Sequence, residues 1–175
     1  MSINDLLNSS TRRDNAAMPE SDALVEIDAL QEADLVDVRF DVSGSSLAML
    51  FDLRSALQFR LANTAVLVIR EVEELHWASS EPKGPRRVAH YVIGSKPDVE
   101  ANRFTLELVC LRGWRLSVVA SSAEFFVGDI PGLSEAPPNF VEDDEQTIAE
   151  AMPAWDSIFE PRWATFVDPI EPQSL

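Results

Sequence analysis

Two histidines, one cysteine and thirty acids are the side chains in this 175-residue chain that are equipped for catalysis or metal binding. His76, His90 and Cys110 share no metal-ligand spacing, so each histidine reads as a satisfied strand residue and the thiol as a small inert group. Ser43-Gly44-Ser45-Ser46 precedes a strand-like run rather than a helix, which makes it a turn and not a nucleophile elbow. No glycine-rich phosphate loop occurs. Glu142-Asp143-Asp144-Glu145 offers oxygen ligands for a divalent cation, but without the glycine and spacing of a known calcium loop. Acids are so abundant that no pair stands out as a hydrolytic acid and base. The expectation is a protein that is not an enzyme, with no cofactor and no metal; a carboxylate-dependent hydrolase remains a minor alternative.

The charge pattern is more telling. The formal net charge is −16, and residues 121–175 hold twelve of the acids with one base, Arg162. Such a field repels nucleic acid and anionic membrane and favours solubility or a basic protein partner. Large aromatics, Trp155, Phe159, Trp163 and Phe166, are interleaved with the acids. Acids that steer and aromatics that anchor suit a docking surface, so Glu142, Asp143, Asp144, Glu145, Trp155, Asp156 and Trp163 are the candidate partner-binding residues. The competing reading is that the aromatics pin an irregular tail to the sheet while the carboxylates keep it solvated. The single cysteine excludes an intramolecular disulfide. The polar N-terminus shows no secretory signal and no run approaches membrane-span length, so a cytoplasmic protein is expected.

These residues need a scaffold, and the plainest scaffold signal is Phe104–Ala120. Pairing across a Leu111-Arg112-Gly113 loop places Phe104, Leu106, Leu108 and Cys110 on one face with Trp114, Leu116, Val118 and Ala120. A one-residue slip would mix the faces, and Gly113 suits the left-handed position of a three-residue loop. A second hairpin follows from Val36–Val42 and Leu47–Leu53, with Val42 opposite Leu47, Phe40 opposite Met49, Val38 opposite Phe51, and Asp37 opposite Asp52 unless Arg39 or Arg54 relieves the like charges. Thr64–Ile69 is apolar on both faces, as in a central strand covered on both sides, and continues as a bulged strand through Val72, Leu75 and Trp77. Loops are expected over 79–87 and over Ser95–Arg103 around Pro97, with a strand over Val88–Ile93 between them.

Elsewhere the signals are weaker. Ser21 or Asp22 is expected to cap a short helix through Leu30, with a strand over Leu24–Ile27 as the other choice. Arg54–Ala62 reads as a connector. Ser121 and Glu124 have the spacing of a capping box. Val141–Met152 is expected to be helical, and Ala154–Phe159 to form a turn or two. The fold class is therefore α+β, mainly β: an antiparallel sheet or β-sandwich of about six strands in hairpins, with short helices near both termini. Residues 1–20 are expected to be weakly ordered, 21–133 to form one β-rich domain, and 134–175 to be an acidic extension packed on it.

The run LVDVRFDVSGSSLAMLFDLRSALQFRLANTAVLVIREVEELHW, from Leu35 to Trp77, resembles small bacterial immunity proteins of polymorphic toxin systems. Several of those families share a strand hairpin ending near LFDLR, an apolar strand, a hydrophobic hairpin and an acidic tail, a layout that covers residues 24–133 here. The resemblance implies an inhibitor that binds a cognate, often basic, toxin domain in the cytoplasm; it carries over no functional residue. A non-catalytic immunity-type binder is the leading expectation, and an adaptor module in a bacterial assembly is the alternative.

Overall fold

The computed structural model describes residues 1–8, 17–80 and 89–168. The loop expected over 79–87 beyond Ser80, the start of the strand expected at Val88, residues 9–16 of the N-terminal segment and the tail from 169 lie outside them. Seven antiparallel strands form one sheet: β1 (Asp34–Asp41), β2 (Ser46–Asp52), β3 (Thr64–Ala78), β4 (His90–Glu100), β5 (Arg103–Cys110), β6 (Trp114–Asp129) and β7 (Glu160–Val167). Two six-residue helices, α1 (Ile3–Asn8) and α2 (Glu145–Glu150), lie near the termini. The strand order is β3-β2-β1-β4-β5-β6-β7, and β3 also pairs with β6, so six strands close on themselves and β7 extends the sheet from β6. Closure removes most of the exposed edge of an antiparallel sheet.

Alternation of side chains sorts the closed sheet into an inside and an outside. The interior holds Leu35, Leu47, Met49, Phe51, Leu67, Phe104, Leu106, Leu108, Leu116, Val118 and Phe125 in one buried cluster. A second cluster lies outside the strands, where Ala48, Leu50, Val66, Val68 and Phe126 are covered by Ile3, Leu6, Trp155 and Phe159. Thr64–Ile69 is therefore buried on both faces, as its apolar run requires. The cover joins both ends of the described chain: Ile3 and Asn4 N–H donate to the Ser157 and Trp155 carbonyls, and Phe159 N–H donates to Met1 O.

The β5–β6 hairpin has the expected register, Phe104 opposite Ala120 through Cys110 opposite Trp114. Its loop holds two left-handed residues, Arg112 at φ 63° and Gly113 at φ 80°; a Cβ at Gly113 would also run into Ser80 Oγ. The β1–β2 hairpin differs by two residues from expectation. Phe40 faces Leu47 and Val38 faces Met49, because Asp41 Oδ1 accepts the Ser43 N–H and starts the turn one residue early. A bulge at Val36 then brings Asp34, not Asp37, opposite Asp52.

Three local signals yield to tertiary pairing. Ser121-Ser122-Ala123-Glu124 is mid-strand in β6, paired with β3, and no helix begins there. Ser95–Arg103 is not a loop: β4 runs through Pro97 to Glu100, and only Ala101-Asn102 turn. Pro97 is tolerated because β4 meets β1 only at His90 and Tyr91, so the proline sits on an edge where no ladder hydrogen bond is lost. Residues 21–33 form successive turns rather than a helix or a strand, with Asp28 at φ 59° and Glu32 at φ 65°. Asp28 and Glu32 N–H donate to the Ser95 and Val92 carbonyls, so the segment spends its backbone groups on β4 instead of on itself. The expected 141–152 helix shortens to α2, and the 134–168 region contributes β7 to the sheet rather than merely lying on it.

Candidate functional site

β3 and β6 pair from Thr64 opposite Gly128 to Ala78 opposite Arg115; among the described residues β1 and β4 pair at Asp34 opposite Tyr91 and Leu35 opposite His90. A groove of about 1000 Å³ runs along Leu35–Phe40. One wall continues the barrel interior with Leu47, Leu75, Trp77, Trp114 and Leu116; the other is the α2 region, with Glu145, Met152, Trp155 and Asp156. Phe40 and Trp77 are exposed at its rim, Trp77 by 67%.

Asp37 is the hinge of the polar wall. Its Oδ2 accepts the Trp155 indole N–H at 2.6 Å and its Oδ1 accepts the Val38 N–H at 2.9 Å. The Arg39 guanidinium lies 4.6 Å above the Trp155 ring, 3.8 Å from Asp37 Oδ2, and donates to Asn4 Oδ1. Trp155 is thus pinned between the second core cluster and a charged pair. Being 5% exposed, it packs against the second cluster, as the competing reading of the aromatics had it, while still lining the groove.

The candidate residues divide. Glu145, Trp155 and Asp156 line the groove; Glu142, Asp143, Asp144 and Trp163 do not. Glu142 and Asp143 bond within a turn, through the Asn139 side chain and backbone N–H respectively. Asp144 caps α2 by accepting the Thr147 N–H, and that bond holds its carboxyl below the usual carboxylate range. Trp163 lies on β7 opposite Val127, half-buried against the interior cluster, with Arg162 beside its ring. Asp37, Arg39, Phe40 and Trp77 were not among the candidate residues of the sequence reading. The alternation of acid and apolar residues in β1 carried that signal, but nothing local indicated that a groove would run along it.

A second polar cluster holds the groove's outer wall to the barrel. Arg54 forms a buried pair with Asp52, both Nε and Nη2 reaching the carboxylate, and its remaining N–H groups donate to the carbonyls of Ser134, Ala136 and Ala151. The neighbouring Asp34 carboxyl is pushed up to about 6, by burial first and then by Asp52, with Arg54 opposing. Neither Asp34 nor Asp52 lines the groove. Burial, with Asp34 adding to it, pushes the Cys110 thiol up to about 12, which leaves it unreactive. His90 stacks on Trp114 at 5.3 Å, and His76 is exposed near Glu74. Among the described residues, no three His, Cys, Asp or Glu side chains converge as metal ligands, and no helix is long and apolar enough to cross a membrane.

Compared with protein-family models, curated proteins and solved structures, the chain matches none of them.

Proposed function

We propose that this chain is a non-catalytic acidic binding protein that neutralises a basic protein partner by direct docking, the role of an immunity protein towards a cognate toxin domain in the cytoplasm. The observation that carries the reading is the groove: an apolar floor with exposed Phe40 and Trp77, bordered by Asp37, Glu145 and Asp156. Acids at the border of an apolar slot raise the encounter rate with a cationic partner, and desolvated aromatics hold it once docked. The net charge of −16 extends that steering over the molecule. The resemblance of residues 35–77 to immunity proteins supports the toxin as the class of partner.

The test is protection of cells that express the toxin encoded beside this chain, compared between the unaltered protein and the Glu145→Lys/Asp156→Lys variant. Both positions are exposed, so the variant is expected to fold with an unchanged thermal midpoint and to lose protection. Full protection by the folded variant would remove the groove from the reading. An adjacent gene encoding neither a toxin nor any other basic protein would remove the immunity role itself.

A further inference from the structure

We infer that Asp34 is a proton-operated latch on the 134–151 segment: neutral, it leaves Arg54 to hold that segment to the barrel, and ionised, it draws Arg54 away. This goes beyond the binding reading and does not depend on it. Asp34 starts β1 and lies directly opposite Asp52 on β2 and Tyr91 on β4. Cross-strand neighbours in an antiparallel pair share a face, with their Cβ atoms about 5 Å apart. Two carboxyl groups therefore stand side by side where both are buried, Asp52 at 0% and Asp34 at 7% exposed. They are not served equally. Arg54 Nε and Nη2 both donate to Asp52, whereas among the described residues no donor lies within hydrogen-bond distance of the Asp34 carboxyl.

The Arg54 side chain is itself buried, and every nitrogen of its guanidinium is engaged. Beyond Asp52, Nη2 donates to the Ala151 carbonyl at 2.7 Å, and Nη1 to the Ser134 and Ala136 carbonyls at 3.3 and 3.1 Å. An ionised Asp34 gains a bond from this guanidinium only by taking an N–H from Asp52 or from one of these carbonyls. The carbonyls are the weaker claimants, because a hydrogen bond between two charged groups is roughly twice as strong as one between neutral groups. The other groups that face Asp34 offer no substitute. Tyr91 on β4 has the Glu32 carboxylate beside it, and Cys110 on β5 is a thiol kept neutral by burial; Arg54 is the one cation of the set. Burial and the Asp52 charge push the Asp34 carboxyl up to about 6 against the pull of Arg54, which places the change between mildly acidic and neutral conditions. With Arg54 committed to Asp52 and the three carbonyls, the structure has the latched arrangement. Glu145 and Ala149 of the latched segment line the groove, so the groove's outer wall is held in acid and loosens as Asp34 ionises.

The experiment is an NMR titration of the isotopically labelled full chain from mildly acidic to mildly alkaline pH. The Asp34 carboxyl carbon is expected to titrate with a midpoint of about 6. The backbone carbonyl carbons of Ser134, Ala136 and Ala151 are expected to shift with that same midpoint. Exchange of the Arg54 Nε–H, corrected for its intrinsic pH dependence, is expected to quicken about tenfold from one side of the midpoint to the other. In Asp34→Asn the carbonyl and guanidinium signals are expected to keep their acidic values throughout. Coincidence of the midpoints is read in the unaltered chain, so the outcome does not hang on the variant folding. Carbonyl signals that stay flat while Asp34 titrates overturn the latch. So does an Asp34 midpoint in the ordinary carboxylate range. A pH response that persists in a folded Asp34→Asn belongs to another group and overturns the assignment. None of these outcomes alters the binding reading, which stands or falls on protection.

Discussion

The two seams of the barrel, β3–β6 and β1–β4, differ in how their outward residues are covered. Along β3–β6, pairing runs nearly the full length of both strands, and the Val66, Val68 and Phe126 side chains that leave the interior are buried again under α1 and the 155–159 segment. Along β1, the outward positions are Asp37, Arg39 and Asp41, and they are exposed. A strand buried on both faces loses its solvent on all sides and becomes the most protected part of a fold, while a strand with one solvated face opens sooner. The contrast teaches that this fold concentrates its burial on one side and leaves the other with a slot and a charge. Binding proteins draw their mobile, ligand-facing elements from the less protected part of the structure.

The largest break in that contrast is expected from Arg54, which holds the groove's outer wall to the well-packed side. Arg54→Ala leaves Asp52 charged, buried and unpaired, and is expected to cost about 3–5 kcal/mol in denaturant unfolding. Because the pair's desolvation opposes its attraction, the double change Asp52→Asn/Arg54→Met is expected to recover much of that loss. A single Arg54→Ala variant as stable as the original would mean the 134–151 segment is held by its apolar contacts alone.

A smaller effect is expected at Asp34, at the root of the weak seam. Its folded-state value of about 6 lies above the ordinary 3.8, so folding takes up a proton there. The resulting stability is complete below about pH 4 and is lost as the pH rises through 6. Asp34→Asn is expected to stabilise the protein by about 2 kcal/mol at pH 7.5 and to leave it unchanged near pH 3.5. Melting curves at the two pH values distinguish this from a substitution that merely repacks the site. The smallest effect is expected at Trp77, on the rim of the groove. Trp77→Ser is expected to change stability by less than about 0.5 kcal/mol while reducing the protection the protein gives against its partner. A large loss of stability would show that the rim is part of the packed barrel.

Legibility in the sequence followed the same division. The β5–β6 register was readable because only one pairing separates polar from apolar side chains, and Gly113 marks its turn. Thr64–Ile69 was readable because a strand buried on both faces has no polar positions to hide. Local motifs misled where a neighbouring strand could offer more: the Ser121–Glu124 box lost to the long β3 ladder, and Pro97 did not end β4 because its edge is unpaired. The Asp34–Asp52 pairing depends on a bulge at Val36 that alternation alone does not reveal. The groove was the least legible feature of all. Asp37, Trp77, Glu145 and Asp156 come from four separate elements and meet only after the sheet has closed around the interior.

The contacts between residues 1–4 and 155–159 carry a consequence for the order in which the molecule is made. On a ribosome, α1 is made well before the 155–159 segment, so its backbone bonds to Trp155 and Ser157 form only once that segment has been synthesised. Until then Trp155 and Phe159 are missing from the cover over Ala48, Leu50, Val66 and Val68, and that apolar patch is incompletely shielded. Closing such a distant contact is slow relative to local strand pairing. The nascent chain therefore passes through a stage in which its best-protected surface in the finished protein is its most adhesive one.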